Sequence, residues 1–272
     1  MTGHEVRVPA DVAKSVATRW PDLYTEWHKC VINELAELCA RYEAVPVATF
    51  AARYGLVVEV AAKAGRLVMR SSPDPHGAEQ ARVSVAMSKL GKAPKVRECF
   101  TSHTGTWVVM DRIVPGTTLD KRPIPLSSLA SLLQPMLNHP SPDNDMPSLV
   151  DWLRRRLLDD ELSDLAPGRQ PAPREQRQSA MSDLAWLATR PMDGLCHGDA
   201  SPRNILEGQR SALFLIDPRG VRGEVAYDVA IAAWKTAGDG RAESRAMQLA
   251  QLVGVAPDRV SAWLSVADAA RV

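Results

Sequence analysis

Residues 196–206 read CHGDASPRNIL, and residues 213–220 read LFLIDPRG. The first stretch leaves a short apolar run, Gly194 to His197, and turns at Asp-Ala-Ser-Pro, a sequence suited to tight loops. Asp199 and Asn204, five positions apart, therefore stand at the two ends of one compact loop. The second stretch reads as a short strand closed by a carboxylate, so Asp217 projects from the end of a hairpin facing the same space.

Phosphoryl transfer asks for this set of groups. A carboxylate must orient the attacking hydroxyl and take its proton, and further oxygen ligands must hold Mg²⁺ against the nucleotide phosphates. The order His-x-Asp-x-x-x-x-Asn, an apolar strand, then Asp follows the logic of the kinase catalytic loop and metal aspartate, with Gly198 where protein kinases carry Arg. Three residue types at fixed offsets arise by chance in roughly one chain per hundred at average usage. Each member alone has a plain reading: Asp199 as a turn residue, Asn204 as a loop residue, Asp217 as a strand end. His197 reads as a hydrogen-bonded brace of the loop rather than a base. The constellation carries the chemistry, and no single member does.

Working outward, residues 22–42 form an amphipathic pattern, with Leu23, Trp27, Val31, Leu35 and Leu38 at three- and four-residue steps. Three β-like runs follow, 45–52, 56–62 and 66–70, then a helix beginning near His76 and a strand over 106–113 closed by Pro115-Gly116. Beyond that point helical periodicity dominates, over 126–137, 148–164, 176–189, 225–236, 241–253 and 257–271. A strand-rich first third and a helix-rich remainder predict an α+β, two-lobed architecture: 1–113 as a nucleotide-binding N-lobe, 114–272 as a larger helical C-lobe with the catalytic loop and acceptor site.

Composition narrows the partners. With 33 basic and 32 acidic residues the formal charge is +1, so no global field points to nucleic acid. The run Arg154-Arg155-Arg156 reads as a solvated helix face. No apolar stretch approaches the roughly 20 residues that span a bilayer, and the N-terminus has no signal-peptide core. Cys30, Cys39, Cys99 and Cys196 are too dispersed for a zinc knuckle or a disulfide framework. A cytoplasmic monomer without membrane or nucleic-acid partners is the expectation.

HGDASPRNIL followed by LFLIDPRGVRGEVAYDVA resembles the aminoglycoside and hydroxyurea phosphotransferases, nearest the streptomycin 6-phosphotransferase branch. There the second segment reads like IDP, a short link, then G-D/E-x-x-[FY]-D; Asp217-Pro218, Gly223-Glu224 and Tyr227-Asp228 fill those places. The resemblance implies a protein-kinase-like fold, ATP and Mg²⁺ as cofactors, Asp199 as catalytic base, and Asn204 and Asp217 as metal ligands. It implies Asp228 as a brace of the catalytic loop. It also places Arg70 where the family carries a phosphate-binding Lys, with Glu79 as its partner, and the backbone of Asp111 to Ile113 against the adenine. Arg is not equivalent to Lys there, because its planar fork replaces a point charge. The loop 51–55 holds a single glycine, so no glycine-rich phosphate cradle is readable.

The implied activity is transfer of a phosphoryl group from ATP to a hydroxyl of a small molecule, an aminoglycoside such as streptomycin among the possible acceptors. A polycationic acceptor calls for carboxylates, and Asp159, Asp160, Glu161, Glu224, Asp239, Glu243 and Asp268 are available. The alternative is a nucleotide-binding protein with weak or no kinase activity, motivated by Arg70 and the glycine-poor loop. A metal-dependent phosphohydrolase using His197 and Asp199 is the third reading, and no other histidine stands in a supporting motif.

Overall fold

The computed structural model describes residues 5–120, 122–162, 164–165, 168–237 and 242–272. By backbone contacts the chain divides into two units, residues 1–81 with 94–113, and residues 82–93 with 114–272.

The first unit opens with two helices, α1 (Ala10–Arg19) and α2 (Pro21–Arg41). Its sheet comprises β1 (Val45–Thr49), β2 (Leu56–Ala62), β3 (Gly65–Ser72), β4 (Val96–Thr101) and β5 (Thr106–Asp111), all antiparallel, in the order β1-β2-β3-β5-β4. Alternation decides the faces. Leu56, Val58 and Val60 of β2, Leu67 and Met69 of β3, and Trp107 and Val109 of β5 pack with Val12, Val16, Trp27, Val31, Leu35 and Leu38 of the helices. Arg70 sits on the opposite face, registered between Val57 and Val108.

Helix α3 (Gly77–Lys89) contributes its first turn to this unit and its remainder to the second, because Val83, Ala86 and Met87 bury in the second unit's core. Strand β4 carries no apolar run that would mark it in the sequence. Its side chains alternate between half-buried and exposed, as an edge strand bearing Arg97 and Glu98 should.

The second unit is mainly helical: α4 (Leu126–Leu133), α5 (Leu149–Leu158), α6 (Arg174–Ala188), α7 (Val225–Lys235), α8 (Ala242–Val253) and α9 (Pro257–Ala269). Helix α5 stops six residues short of its expected end at 164. Asp159 and Asp160 follow directly, and negative charge is unfavourable at a helix C-terminus. The arginine run is a solvated face only in part: Arg155 is exposed and Arg154 half-exposed, and Arg156 departs from the expectation. Arg154 pairs with Asp151, whereas Arg156 is largely buried, pairs with Asp164 at 2.7 Å and lies over Trp152.

Helix α7 is buried at nine consecutive residues, Val225 to Ala233, the condition of a helix surrounded on every side. It packs against α8 and α9, and its many alanines allow close approach. Three short strands, β6 (Pro115–Thr118), β8 (Ile205–Gly208) and β9 (Leu213–Leu215), form one antiparallel sheet. β7 (Gly194–Leu195) and β10 (Arg222–Gly223) form another. Among the described residues no helix is long and apolar enough to cross a membrane.

Trp27 joins helix and sheet in the first unit, fully buried, with its indole N–H donating to Ser71 Oγ at 3.1 Å. Trp27→Phe keeps most of the packing and leaves the Ser71 hydroxyl without that donor. We expect a loss of about 1–3 kcal/mol in urea denaturation, against about 3–5 kcal/mol for Trp27→Ala.

Candidate active site

The site begins where β7 ends. Cys196 and His197 continue inward, both fully buried, and the backbone then turns at Gly198 with φ +79°. A Cβ at Gly198 would stand 2.9 Å from Arg219 Cβ and 3.0 Å from Val221 Cγ2, so glycine is required on both conformational and steric grounds. The loop is suspended from α7. Asp228, in that helix's first turn, accepts the backbone N–H of His197 at 2.7 Å and of Gly198 at 2.9 Å, one on each carboxylate oxygen. It thus occupies both positions considered for it, a first-turn acid and a brace of the loop. Burial pushes its carboxyl above the usual carboxylate range, while His197 and the two N–H donors pull it back. Burial, reinforced by the charge of Asp228, pushes the Cys196 thiol well up.

His197 spans the site as a brace. Its Nδ1 accepts the Asp199 N–H at 3.2 Å, which leaves the proton on Nε2, and Nε2 then donates to the Ile216 carbonyl at 2.9 Å. Both ring nitrogens are therefore engaged within the fold. Asp199 follows, its side chain about one-third exposed.

A 3-10 turn, Pro202–Asn204, carries the chain into β8. The hairpin register pairs Ile205 with Leu215, and one step further Ile216 N–H donates to the Asn204 carbonyl at 2.9 Å. Asn204 and Asp217 thereby fall at the same end of the β8–β9 hairpin. Asn204 Nδ2 donates to the Asp199 carbonyl at 3.0 Å, so its Oδ1 is the atom left to serve as a ligand. Asp217 is exposed and left-handed, with φ 58°, a conformation that Asp tolerates better than most residues. An amide oxygen and an exposed carboxylate are hard donors, the chemistry that suits Mg²⁺.

Arg219 was not anticipated from the sequence. Its backbone N–H donates to the His197 carbonyl at 2.8 Å and its Nε to the Gly198 carbonyl at 3.3 Å. Its guanidinium lies 4.2 Å from the centroid of the Trp152 ring, with Nη2 3.7 Å from Asp199 Oδ2. The available signal was a cation two residues past Asp217; nothing in sequence order ties Trp152 to it. Tyr227 was likewise not singled out for its hydroxyl. It is buried with no hydrogen-bond partner among the described residues, its ring edge-on to Trp263.

The acidic residues considered for an acceptor pocket are mostly committed elsewhere. Glu224 is buried, bonded to Arg259 and to Trp263 Nε1 at 2.7 Å, and holds α7 to α9. Asp160 pairs with Arg177, and Asp268 bonds Gln176 and Arg271. Asp159 accepts the Glu161 N–H, Glu161 and Glu243 are exposed, and Asp239 lies outside the described residues.

The remaining sequence candidates lie in the first unit. Arg70 Nη2 donates to Gln80 Oε1 at 3.4 Å, and Gln80 Nε2 donates to Asp74 Oδ2 at 2.8 Å. Glu79 is half-buried in the first turn of α3. Asp111 binds Arg97 through both carboxylate oxygens, at 2.6 and 3.0 Å. Its N–H and that of Arg112 are taken by the Lys95 and Arg66 carbonyls, and the Ile113 carbonyl accepts from the Arg112 guanidinium.

An antiparallel strand-rich unit followed by a helical unit carrying this loop and hairpin is a protein-kinase-like fold. Residues 49–263 match the phosphotransferase enzyme family, and the chain belongs to that family. Solved structures agree on the fold. An aminoglycoside-3'-phosphotransferase of type VIII aligns with TM-score 0.57 and 21% identity over 86% of this chain and 97% of that one. A choline/ethanolamine kinase family protein from Mesorhizobium loti aligns with TM-score 0.64 and 15% identity over 87% and 83%. A spectinomycin phosphotransferase in complex with ADP and spectinomycin aligns with TM-score 0.59 and 11% identity over 88% and 86%. No curated protein matches the sequence.

Asp228→Asn replaces one acceptor oxygen with an N–H₂ group that faces a backbone donor. We expect about 1–3 kcal/mol of destabilisation by chemical denaturation. Gly198→Ala should also lower stability, through the left-handed backbone and the contacts with Arg219 and Val221, and hydrogen exchange at residues 197–199 should accelerate in both variants.

Proposed function

We propose that this chain transfers the γ-phosphoryl group of ATP, with Mg²⁺, to a hydroxyl group of a small molecule. The observation that carries the reading is the β8–β9 register, which brings Asn204 and Asp217 to one end of a hairpin and ties Asn204 to the loop bearing Asp199. Family membership supports phosphoryl transfer as the chemistry.

In this reading Asp199 orients the acceptor hydroxyl and accepts its proton on the carboxylate. Arg219, 3.7 Å from Asp199 Oδ2 and lying over Trp152, restricts where that carboxylate points. Asn204 Oδ1 and the Asp217 carboxylate would hold Mg²⁺, which would supply neutralising charge to the nucleotide phosphates. Arg70, with Glu79 as its expected partner, serves the phosphates, and the backbone of Asp111 to Ile113 serves the adenine. The division 1–113 and 114–272 then separates nucleotide binding from catalysis and acceptor binding.

Within the family we place the chain toward the streptomycin 6-phosphotransferase branch, on Asp217-Pro218, Gly223-Glu224 and Tyr227-Asp228. An aminoglycoside is accordingly the first acceptor class to test, and its inactivation in antibiotic resistance is one role such an activity could have. Fold neighbours named for aminoglycosides and for choline or ethanolamine widen the panel to amino alcohols.

The test is ADP release from Mg²⁺-ATP against aminoglycosides, choline and ethanolamine, with nucleotide affinity measured alongside. Asp199→Ala is expected to lower acceptor-dependent turnover by roughly 10²–10⁴ while leaving nucleotide affinity near the parent value. Asp217→Ala should weaken Mg²⁺-dependent nucleotide binding. Equal losses of binding in both variants would contradict the assigned roles. Nucleotide binding with no transfer to any acceptor would favour a binding protein with weak or no kinase activity, and Arg70 would be the residue to revert to Lys.

A further inference from the structure

One face of α2, beside its buried stripe, repeats chemistry-bearing residues once per turn: Glu26, Cys30 and Glu34. The turn between β4 and β5 brings His103 against that face. Cys30 Sγ lies 3.5 Å from Glu26 Oε1, and His103 Nε2 lies 3.9 Å from the same oxygen. One donor atom from each of Glu26, Cys30 and His103 falls within 4.8 Å of the others. A tetrahedral ion with Zn–S near 2.3 Å and Zn–N or Zn–O near 2.0–2.2 Å holds its donors about 3.4–3.6 Å apart. The Cys30–Glu26 separation of 3.5 Å already matches that spacing, and the His103–Glu26 separation of 3.9 Å lies a few tenths of an ångström beyond it.

The surroundings of His103 strengthen the case. Its other nitrogen, Nδ1, faces Glu34 Oε1 at 4.0 Å. Glu34 is itself held in place, accepting from Thr104 Oγ1 at 2.9 Å and from Trp107 Nε1 at 2.7 Å. A metal-ligating histidine characteristically offers its second N–H to a carboxylate that fixes the ring, and that carboxylate is anchored in turn. Here the carboxylate and its anchors are present independently of any ligand: Thr104 and Trp107 are both buried.

We propose that Glu26, Cys30 and His103 form a zinc-binding site on α2 and the β4–β5 turn, with Glu34 orienting His103. A thiolate, an imidazole and a carboxylate select a borderline-soft divalent ion over Mg²⁺ or Ca²⁺. Binding replaces the Cys30 thiol proton, which leaves to solvent, and the side chains supply three ligands with the fourth position left to water. The site lies wholly within the first unit and shares no residue with the loop of Asp199. Its consequence is mechanical: the metal cross-links helix α2 to the edge hairpin of the sheet.

The test is a titration of the tag-free full-length protein with Co²⁺, followed by displacement with Zn²⁺. One equivalent of Co²⁺ should produce a thiolate-to-cobalt charge-transfer band and visible d–d bands of low-coordinate geometry. The charge-transfer band should vanish in Cys30→Ser, persist in Cys99→Ser, and require at least about tenfold more Co²⁺ in His103→Ala, the loss that even outer-shell partners produce. Zn²⁺ should raise the melting temperature of the parent protein but not of Cys30→Ser. Circular dichroism of each variant before titration separates lost ligation from lost folding. Absence of a stoichiometric band, its survival in Cys30→Ser, or its loss in Cys99→Ser would overturn the proposal.

Discussion

The second unit turns on one buried carboxylate. Asp228 has no exposed surface, and a carboxylate in such a place is costly unless every lone pair has work. Its two oxygens receive the N–H groups of consecutive residues, His197 and Gly198, from a loop that forms no regular structure of its own. The exchange is mutual: the loop's buried donors would otherwise be unpaired, and the acid would otherwise be uncompensated. His197 extends the connection to the Ile216 carbonyl, and Arg219 returns its own N–H to the His197 carbonyl. Helix, loop and hairpin are therefore held by a closed polar circuit, whose members reinforce one another in low dielectric.

That circuit depends on apolar packing to deliver its parts. Helix α7 reaches the loop because Ala226, Ala230, Ala232 and Ala233 keep its surface close to its neighbours, while Val225, Val229 and Ile231 supply volume. Glu224, immediately before the helix, ties it to α9 through Arg259 and Trp263. The first unit shows the opposite balance. Its core is built from large side chains, Trp27, Trp107, Leu56 and Met69, between two helices and one sheet face, with the indole N–H groups of Trp27 and Trp107 tying helix to sheet through Ser71 and Glu34.

What was legible in the chain follows from this contrast. Helices with an apolar stripe and strands with continuous apolar runs announce themselves by period, so α2, β2, β3, β5 and the C-terminal helices lay close to expectation. Edge strand β4 did not, because half its side chains face solvent and Arg97 and Glu98 break any run. The grouping of Asn204 and Asp217 at one end of a hairpin, beside the loop of Asp199, was legible because turn chemistry and strand length act within a short span of sequence. Arg219 over Trp152 was not, since that contact joins residues far apart in the chain. The role of Glu224 was hidden for the same reason: its partners Arg259 and Trp263 lie 35 and 39 residues further along the chain. The site beside His103 was invisible too, since four scattered cysteines say nothing about which histidine folds against one of them.

Two left-handed residues flank the loop and hairpin, Gly198 at φ +79° and Asp217 at φ +58°. A non-glycine residue there costs on the order of 1–3 kcal/mol and persists only where neighbours over-determine it. At Asp217 the neighbours are explicit: Ile216 before it is bonded through both N–H and C=O, to Asn204 and to His197, and Pro218 after it has a fixed φ. Backbone geometry thus sets the direction in which the exposed carboxylate leaves the chain. Gly198 plays the complementary part, leaving the space that Arg219 Cβ and Val221 fill. Strain and closure are two aspects of one arrangement: the polar circuit around Asp228 holds the backbone in conformations that point Asp199 and Asp217 outward from an otherwise buried scaffold.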